Sequence, residues 1–150
     1  MKAPRFEYLR VKNLDQVHSA FAEYGDDAVI LAGGQSLMPI MNMRLSQPKL
    51  LIDINSINEL SGIELKDQFL RIGAMTRHAE VAKNLLIAQK LPLIAHAIKH
   101  VAHRGIRNRG TLGGSLSHAD PAAEMPACAI ALEPLGNKFP ENNLDKSFLS

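Results

Sequence analysis

The stretch that most constrains this chain runs from Arg107 to Glu124 and reads RNRGTLGGSLSHADPAAE. Gly110, Gly113 and Gly114 stand among the hydroxyls of Thr111, Ser115 and Ser117, just after Arg107 and Arg109. Glycine lets a backbone take left-handed or tightly folded conformations and lets a ligand come close, because no Cβ intervenes. Amides freed in such a loop can form a concave anion-binding nest. An apolar helical pattern precedes the stretch, and another begins at Pro121, a residue suited to the first turn of a helix. Two readings stand side by side: a phosphate cradle held between two helices, or an ordinary interhelical turn.

A length of 150 residues suits one domain or two small lobes. The apolar fraction of 46% and charged fraction of 21% are those of a folded chain. A net charge of +2 gives no reason to expect a nucleic-acid or membrane partner. The single cysteine, Cys128, excludes an internal disulfide and an all-cysteine zinc or iron–sulfur site. No apolar run approaches the roughly 20 residues that span a bilayer. The start MKAPRFEYLR lacks the apolar segment of a signal peptide. A cytoplasmic location is expected.

Taken in order, Phe6 to Val11 alternates apolar and polar residues, the period of a half-buried strand. Asn13 is placed to cap a helix with Leu14, Val17, Ala20, Phe21 and Tyr24 on one side, and Gly25 stands where it should end. Ala28 to Ala32 is a continuous apolar run, as for a strand covered on both faces. Strand, helix and strand make a βαβ unit, whose two strands are normally parallel. AGGQSL, residues 32–37, follows at the strand's carboxyl end, the usual ligand position in an α/β unit. A short helix over Met38 to Arg44 could then aim its first amides at a phosphate. This is neither the GxGxxG fingerprint nor a P-loop, and a structural turn is the competing reading.

LLIDI within Lys49 to Ile54 reads as a third strand, with Asp53 a strand-end residue rather than a catalytic carboxylate. Ile63 to Lys66 and Phe69 to Ile72 read as a hairpin around Asp67 and Gln68. Thr76 is expected to cap a helix over Arg77 to Asn84, with Glu80 one residue too far for a capping box. Pro92 opens a helix with Leu93, Ile94, Ala97, Ile98 and Val101 at helical spacing, which aligns His96, His100 and His103. That row lacks HExxH and a nearby carboxylate, so solvated histidines near a helix end are expected rather than metal ligands. HRGIRNR, residues 103–109, is the most basic run, but aromatic residues for nucleic-acid stacking are scarce. Cys128 reads as a small buried hydrophobe in a helix from Pro121 to Leu132. Pro134 to Ser150 has no sustained period and reads as an irregular tail.

Two glycine segments, AGGQSL and TLGGSLSHADPAAE, with LRIGAMTRHAEV between them and RNRG leading into the second, now lie on one chain. In that order they closely resemble the flavoprotein subunit of molybdenum-containing hydroxylases. That group includes the medium subunit of carbon monoxide dehydrogenase and the FAD subunits of bacterial xanthine, nicotinate and aldehyde dehydrogenases. The resemblance covers roughly Pro4 to Glu133. It implies an α+β chain with the FAD-binding fold of the vanillyl-alcohol oxidase (PCMH) type. A βαβ lobe over 1–57 would precede a second, incomplete α/β lobe over 58–133 and the tail over 134–150.

The resemblance also implies roles. Ile30, Leu31, Ala32, Gly33, Gly34, Gln35, Ser36 and Leu37 would wrap the FAD pyrophosphate through main-chain amides. Thr111, Leu112, Gly113, Gly114 and Ser115 would form the second wall. Val101 and Ala102 match positions near the flavin, and Glu124 an acid that holds the adenosine ribose. FAD carries the redox chemistry, so no catalytic side chain is sought. Electrons would arrive from a [2Fe–2S] subunit and a molybdenum-cofactor subunit and leave for NAD, a quinone or another acceptor. Family members are roughly twice this long, so the resemblance leaves a second reading: a truncated, flavin-free remnant acting at most as an interaction module.

Overall fold

A computed structural model describes residues 2–132 of the chain; the tail expected over 134–150 lies outside them. The first half builds a three-stranded parallel sheet from β1 (Glu7–Arg10), β2 (Ala28–Leu31) and β3 (Leu50–Asp53) in the order β1-β3-β2. Leu51 of β3 stands opposite Tyr8 on one side and Val29 on the other. The strands are parallel as the βαβ pattern requires, but β3 inserts between the two that it connects. Two expectations therefore change. The strand buried throughout is β3, because it alone has a neighbour on each edge, while most of β2 is only half-buried. β1 is exposed along its length, and the burial expected of it falls on Val11, one residue beyond.

Helix α1 (Leu14–Tyr24) begins where Asn13 caps it, its side-chain oxygen accepting from the Gln16 amide at 3.0 Å, and ends at Gly25, with φ of 52°. Val17 and Ala20 are buried in a cluster with Val11, Leu50, Ile52, Ile57 and Met75, and Phe21 and Tyr24 pack against it. Each large aliphatic group buried there contributes roughly 1.5–3 kcal/mol. Helix α2 (Leu37–Asn42) starts immediately after the first glycine turn.

The second half opens with the hairpin β4 (Ile63–Lys66) and β5 (Phe69–Ile72), paired Lys66 to Phe69. Asp67 and Gln68 take φ of 47° and 70°, the two left-handed positions of a tight hairpin turn. Six helices follow among the described residues: α3 (His78–Val81), α4 (Leu85–Lys90), α5 (Pro92–Ala97), α6 (Arg104–Arg109), α7 (Leu112–His118) and α8 (Glu124–Leu132). Val81, Ile87, Ile94, Ile98, Leu112, Met125 and Cys128 form a second core, with Ile63, Leu70 and Ile72 of the hairpin against it.

Four local expectations are corrected here. The cap of α3 is Arg77, not Thr76, which places Glu80 at the capping-box position after all: its carboxylate accepts from the Arg77 amide at 3.0 Å. Thr76 is buried and bonds instead to both the amide and the carbonyl of Gly62. The helix from Pro92 ends at Ala97, and His103 sits in extended backbone before α6, which breaks the histidine row. Asp120 turns the chain before α8, which starts at Glu124 rather than Pro121. The largest change concerns the stretch TLGGSLSH, which is α7 and its cap, not a loop.

Candidate functional site

β2 delivers its carboxyl end into the turn Ala32–Ser36, and Gly34 adopts φ of 69°, which an L side chain takes only with strain. The carbonyls of this turn are engaged. Gly33 O accepts from Gln35 Nε2 at 2.8 Å, Gly34 O from the Met38 amide at 3.2 Å, and Ser36 O from the Ile40 amide at 3.1 Å. Its amides are not: among the described residues, none accepts from the N–H groups of residues 33–37. They include the amides that a helix start leaves unpaired. The turn is thus a run of donors at the half-buried surface.

The second segment has the opposite character. Thr111 caps α7 by accepting from the Gly114 amide at 3.1 Å. The Leu112 amide donates to Thr76 O at 3.0 Å, Gly113 to Ala74 O at 2.8 Å and Ser115 to Thr111 O at 3.1 Å. Every amide from 112 to 115 is therefore occupied inside the chain, and the nest of freed amides expected there does not form. Its glycines serve close packing. A Cβ on Gly113 would lie 2.6 Å from the Ala74 Cβ, so α7 rests directly on the backbone of residue 74. What this segment offers a ligand is the half-buried Ser115 side chain and a surface without Cβ atoms.

The two segments meet. A Cβ on Gly33 would fall 2.5 Å from the Arg109 carbonyl oxygen and 2.8 Å from Gly110 Cα, while one on Gly114 would lie 3.8 Å from the Ala32 Cβ. Residues 32–33 and 109–114, far apart in sequence, share one contact. No acidic residue occurs between Asp27 and Asp53, or between Glu80 and Asp120, so both segments run through acid-free stretches.

Polar groups that the sequence did not single out cross this contact. Asn55 Nδ2 donates to Ala32 O at 2.9 Å, and Asn55 Oδ1 accepts from Arg77 Nη2 at 2.6 Å. Arg77 Nη1 donates to Arg109 O, and the Arg77 backbone bridges that of Thr111. Behind Asn55, the buried Asp53 accepts from Tyr8, Arg10 and the Asn55 amide and side chain. Burial opposes its ionisation, but these bonds outweigh it and hold the carboxyl at about 2. It is a structural anion, as its strand-end position suggested. Twenty-two residues separate Asn55 from Arg77, so no local pattern connects them; the nearest signal was the arginine within TRHAEV.

The other candidate positions lie further out. Ile30 and Leu31 end β2, and Leu37 opens α2. Val101 and Ala102 form a turn whose carbonyls accept from Arg107 Nη1 at 2.9 and 2.7 Å, one helix away from Gly110. Glu124 begins α8, where its charge acts on His78 and Cys128. His78 is buried beside Gly110: its amide donates to Gly110 O, and its Nδ1 has no partner among the described residues. Burial pushes its pKa down, against a smaller upward pull from Glu124. No group of three or more metal-ligating side chains occurs among the described residues.

A surface without Cβ atoms, unpaired donors and segments that carry no carboxylate of their own fit an anionic diphosphate. The family model described as "FAD binding domain in molybdopterin dehydrogenase" matches residues 4–134. Among curated proteins, the chain is 48% identical over 133 residues to the 6-hydroxypseudooxynicotine dehydrogenase complex subunit alpha of Paenarthrobacter nicotinovorans, covering 89% of this chain and 45% of that one. It is 43% identical to the carbon monoxide dehydrogenase medium chain of Hydrogenophaga pseudoflava, covering 89% and 46%. The solved structure of carbon monoxide dehydrogenase from Hydrogenophaga pseudoflava superposes with a TM-score of 0.86 at 43% identity, over 88% of this chain and 46% of that chain. The chain spans less than half the length of these relatives.

Proposed function

The chain belongs to the family of FAD-binding domains of molybdopterin dehydrogenases, and from that premise we propose that it is the FAD-binding part of an electron-transfer subunit in a molybdenum-containing hydroxylase or dehydrogenase. Its partners in this reading are a [2Fe–2S] subunit and a molybdenum-cofactor subunit, with NAD, a quinone or another acceptor downstream. Residues 1–57 and 58–133 act as the two lobes of the site. Among the described residues no helix is long and apolar enough to cross a membrane, and we place the complex in the cytoplasm.

FAD supplies the redox chemistry when bound; the residues of this chain bind and orient it. The amides of residues 33–37 donate to the diphosphate, aided by the start of α2. Leu112 to Ser115 form the facing wall by shape and through the Ser115 hydroxyl, not through amides. Ile30 and Leu31 fix where the first turn begins. Thr111 holds α7 in place, Val101 and Ala102 lie toward the flavin, and Glu124 accepts from ribose hydroxyls. The observation that carries this reading is the packing of Gly33 on the Arg109–Gly110 backbone, which joins the donor turn to the second wall.

The test is an equilibrium titration of the purified, ligand-free chain with FAD, followed by absorbance, alone and with candidate iron–sulfur and molybdenum subunits. A saturable flavin spectrum supports the reading. A folded chain that stays colourless under both conditions refutes it.

A further inference from the structure

We propose that Asn55 and Arg77 are positioning residues that set the geometry of the FAD cradle, an inference that rests on the reading of the site given above. Neither belongs to a glycine segment, yet together they hold the residue that leads into each. Asn55 Nδ2 takes the carbonyl of Ala32, which precedes Gly33, and Arg77 Nη1 takes the carbonyl of Arg109, which precedes Gly110. The 2.6 Å bond from Arg77 Nη2 to Asn55 Oδ1 closes the clasp. A planar guanidinium can serve two acceptors in fixed relation; an ammonium on a flexible stem cannot hold them in that geometry.

The orientation of the donors follows from peptide geometry. In a trans peptide the C=O of one residue and the N–H of the next point in opposite directions, and no cis bond occurs among the described residues. A carbonyl of Ala32 held toward Asn55 therefore turns the Gly33 amide away from it. The Leu31 carbonyl is held likewise by the Ile54 amide at 3.3 Å. Asn55 is itself fixed by Asp53, whose Oδ1 accepts from both the Asn55 amide and its side chain, at 2.8 and 2.6 Å. The register of the first turn is thus set from the end of β3.

Charge points the same way. Arg77 is half-buried, and no carboxylate of the described residues forms an ion pair with it. A cation seated between two glycine segments favours an anion at their surface.

The experiment compares the chain with its Arg77→Lys, Arg77→Met and Asn55→Ala variants, each in the folded state verified by circular dichroism. Two quantities are read: FAD affinity by titration, and hydrogen exchange in ligand-free protein of the Met38 and Ile40 amides, which donate to the Gly34 and Ser36 carbonyls of the first turn. Arg77→Lys keeps the charge but not the clasp, so FAD affinity should fall about tenfold or more. Exchange should rise at Met38 and Ile40 and not at the buried strand β3. Asn55→Ala should behave the same way while leaving the Arg77 charge in place. Affinity within about twofold of the parent, with unchanged exchange, would overturn the proposal. If the parent itself binds no FAD, the functional reading fails, and the exchange data still decide whether the clasp holds the turn.

Discussion

Gly33 packs on the carbonyl of Arg109 so closely that a Cβ at position 33 would stand 2.5 Å from that oxygen. Distances under 3.0 Å at backbone atoms require something to move. Gly33→Ala should therefore push the first turn off the second segment. Overpacking of this kind costs roughly 1–3 kcal/mol, visible as a lower urea midpoint, and FAD affinity should fall with it. Gly25→Ala is the control. Its φ of 52° makes the change unfavourable by about 1 kcal/mol, but open space surrounds it, so FAD affinity should not change.

Asp53 sets an acid limit on stability. Its folded value of about 2 lies below the ordinary 3.8, so its stabilising contribution is complete above pH ~4 and is lost as pH falls toward 2. The shift corresponds to ~2 kcal/mol. Denaturant midpoints measured from pH 6 to pH 2.5 should show this loss, and Asp53→Asn should flatten it while lowering stability at pH 6.

His78 acts in a separate window. Burial disfavours its charged imidazolium, so protonation is harder in the folded chain than in the unfolded one. The unfolded state then binds more protons below the ordinary value of 6.5, and stability falls as pH drops through that value. A variant such as His78→Gln should lack this step while retaining the one due to Asp53. Melting curves between pH 8 and pH 5 separate the two.

Cys128 is buried in the second core, and burial, then Glu124, push its thiol above the ordinary range. A thiol reagent at pH 8 should leave it unlabelled in the native chain and modify it only on unfolding. Labelling at the rate of a free thiol without unfolding would contradict the packing of α8 on that core.

Much of this architecture could be read before any coordinates. Asn13 and Gly25 bracket α1 because cap chemistry is local, and Asp67–Gln68 marks the hairpin because two short alternating runs flank it. Strand order was not local: nothing in Ala28 to Leu31 says that Leu50 to Asp53 will pair between it and β1. The second glycine segment misled for a physical reason. Gly113 and Gly114 cost a helix about 1 kcal/mol each relative to alanine, so they signalled a loop. Contact with Ala74 outweighs that cost, because only a residue without Cβ lets α7 approach so closely. The clasp was invisible because its donors and acceptors come from residues 32, 55, 77 and 109, which lie in four segments far apart in sequence.

In the proposed function the joined glycine segments hold the diphosphate of FAD, not its flavin or adenosine part alone. Parallel titrations of the ligand-free chain with ADP and with adenosine, which differ only in the diphosphate, test it most directly. Saturable ADP binding at least about tenfold tighter than adenosine is expected, with the difference abolished in Gly33→Ala. Equal affinity for the two ligands, or a preference for ADP that survives that substitution unchanged, would contradict it.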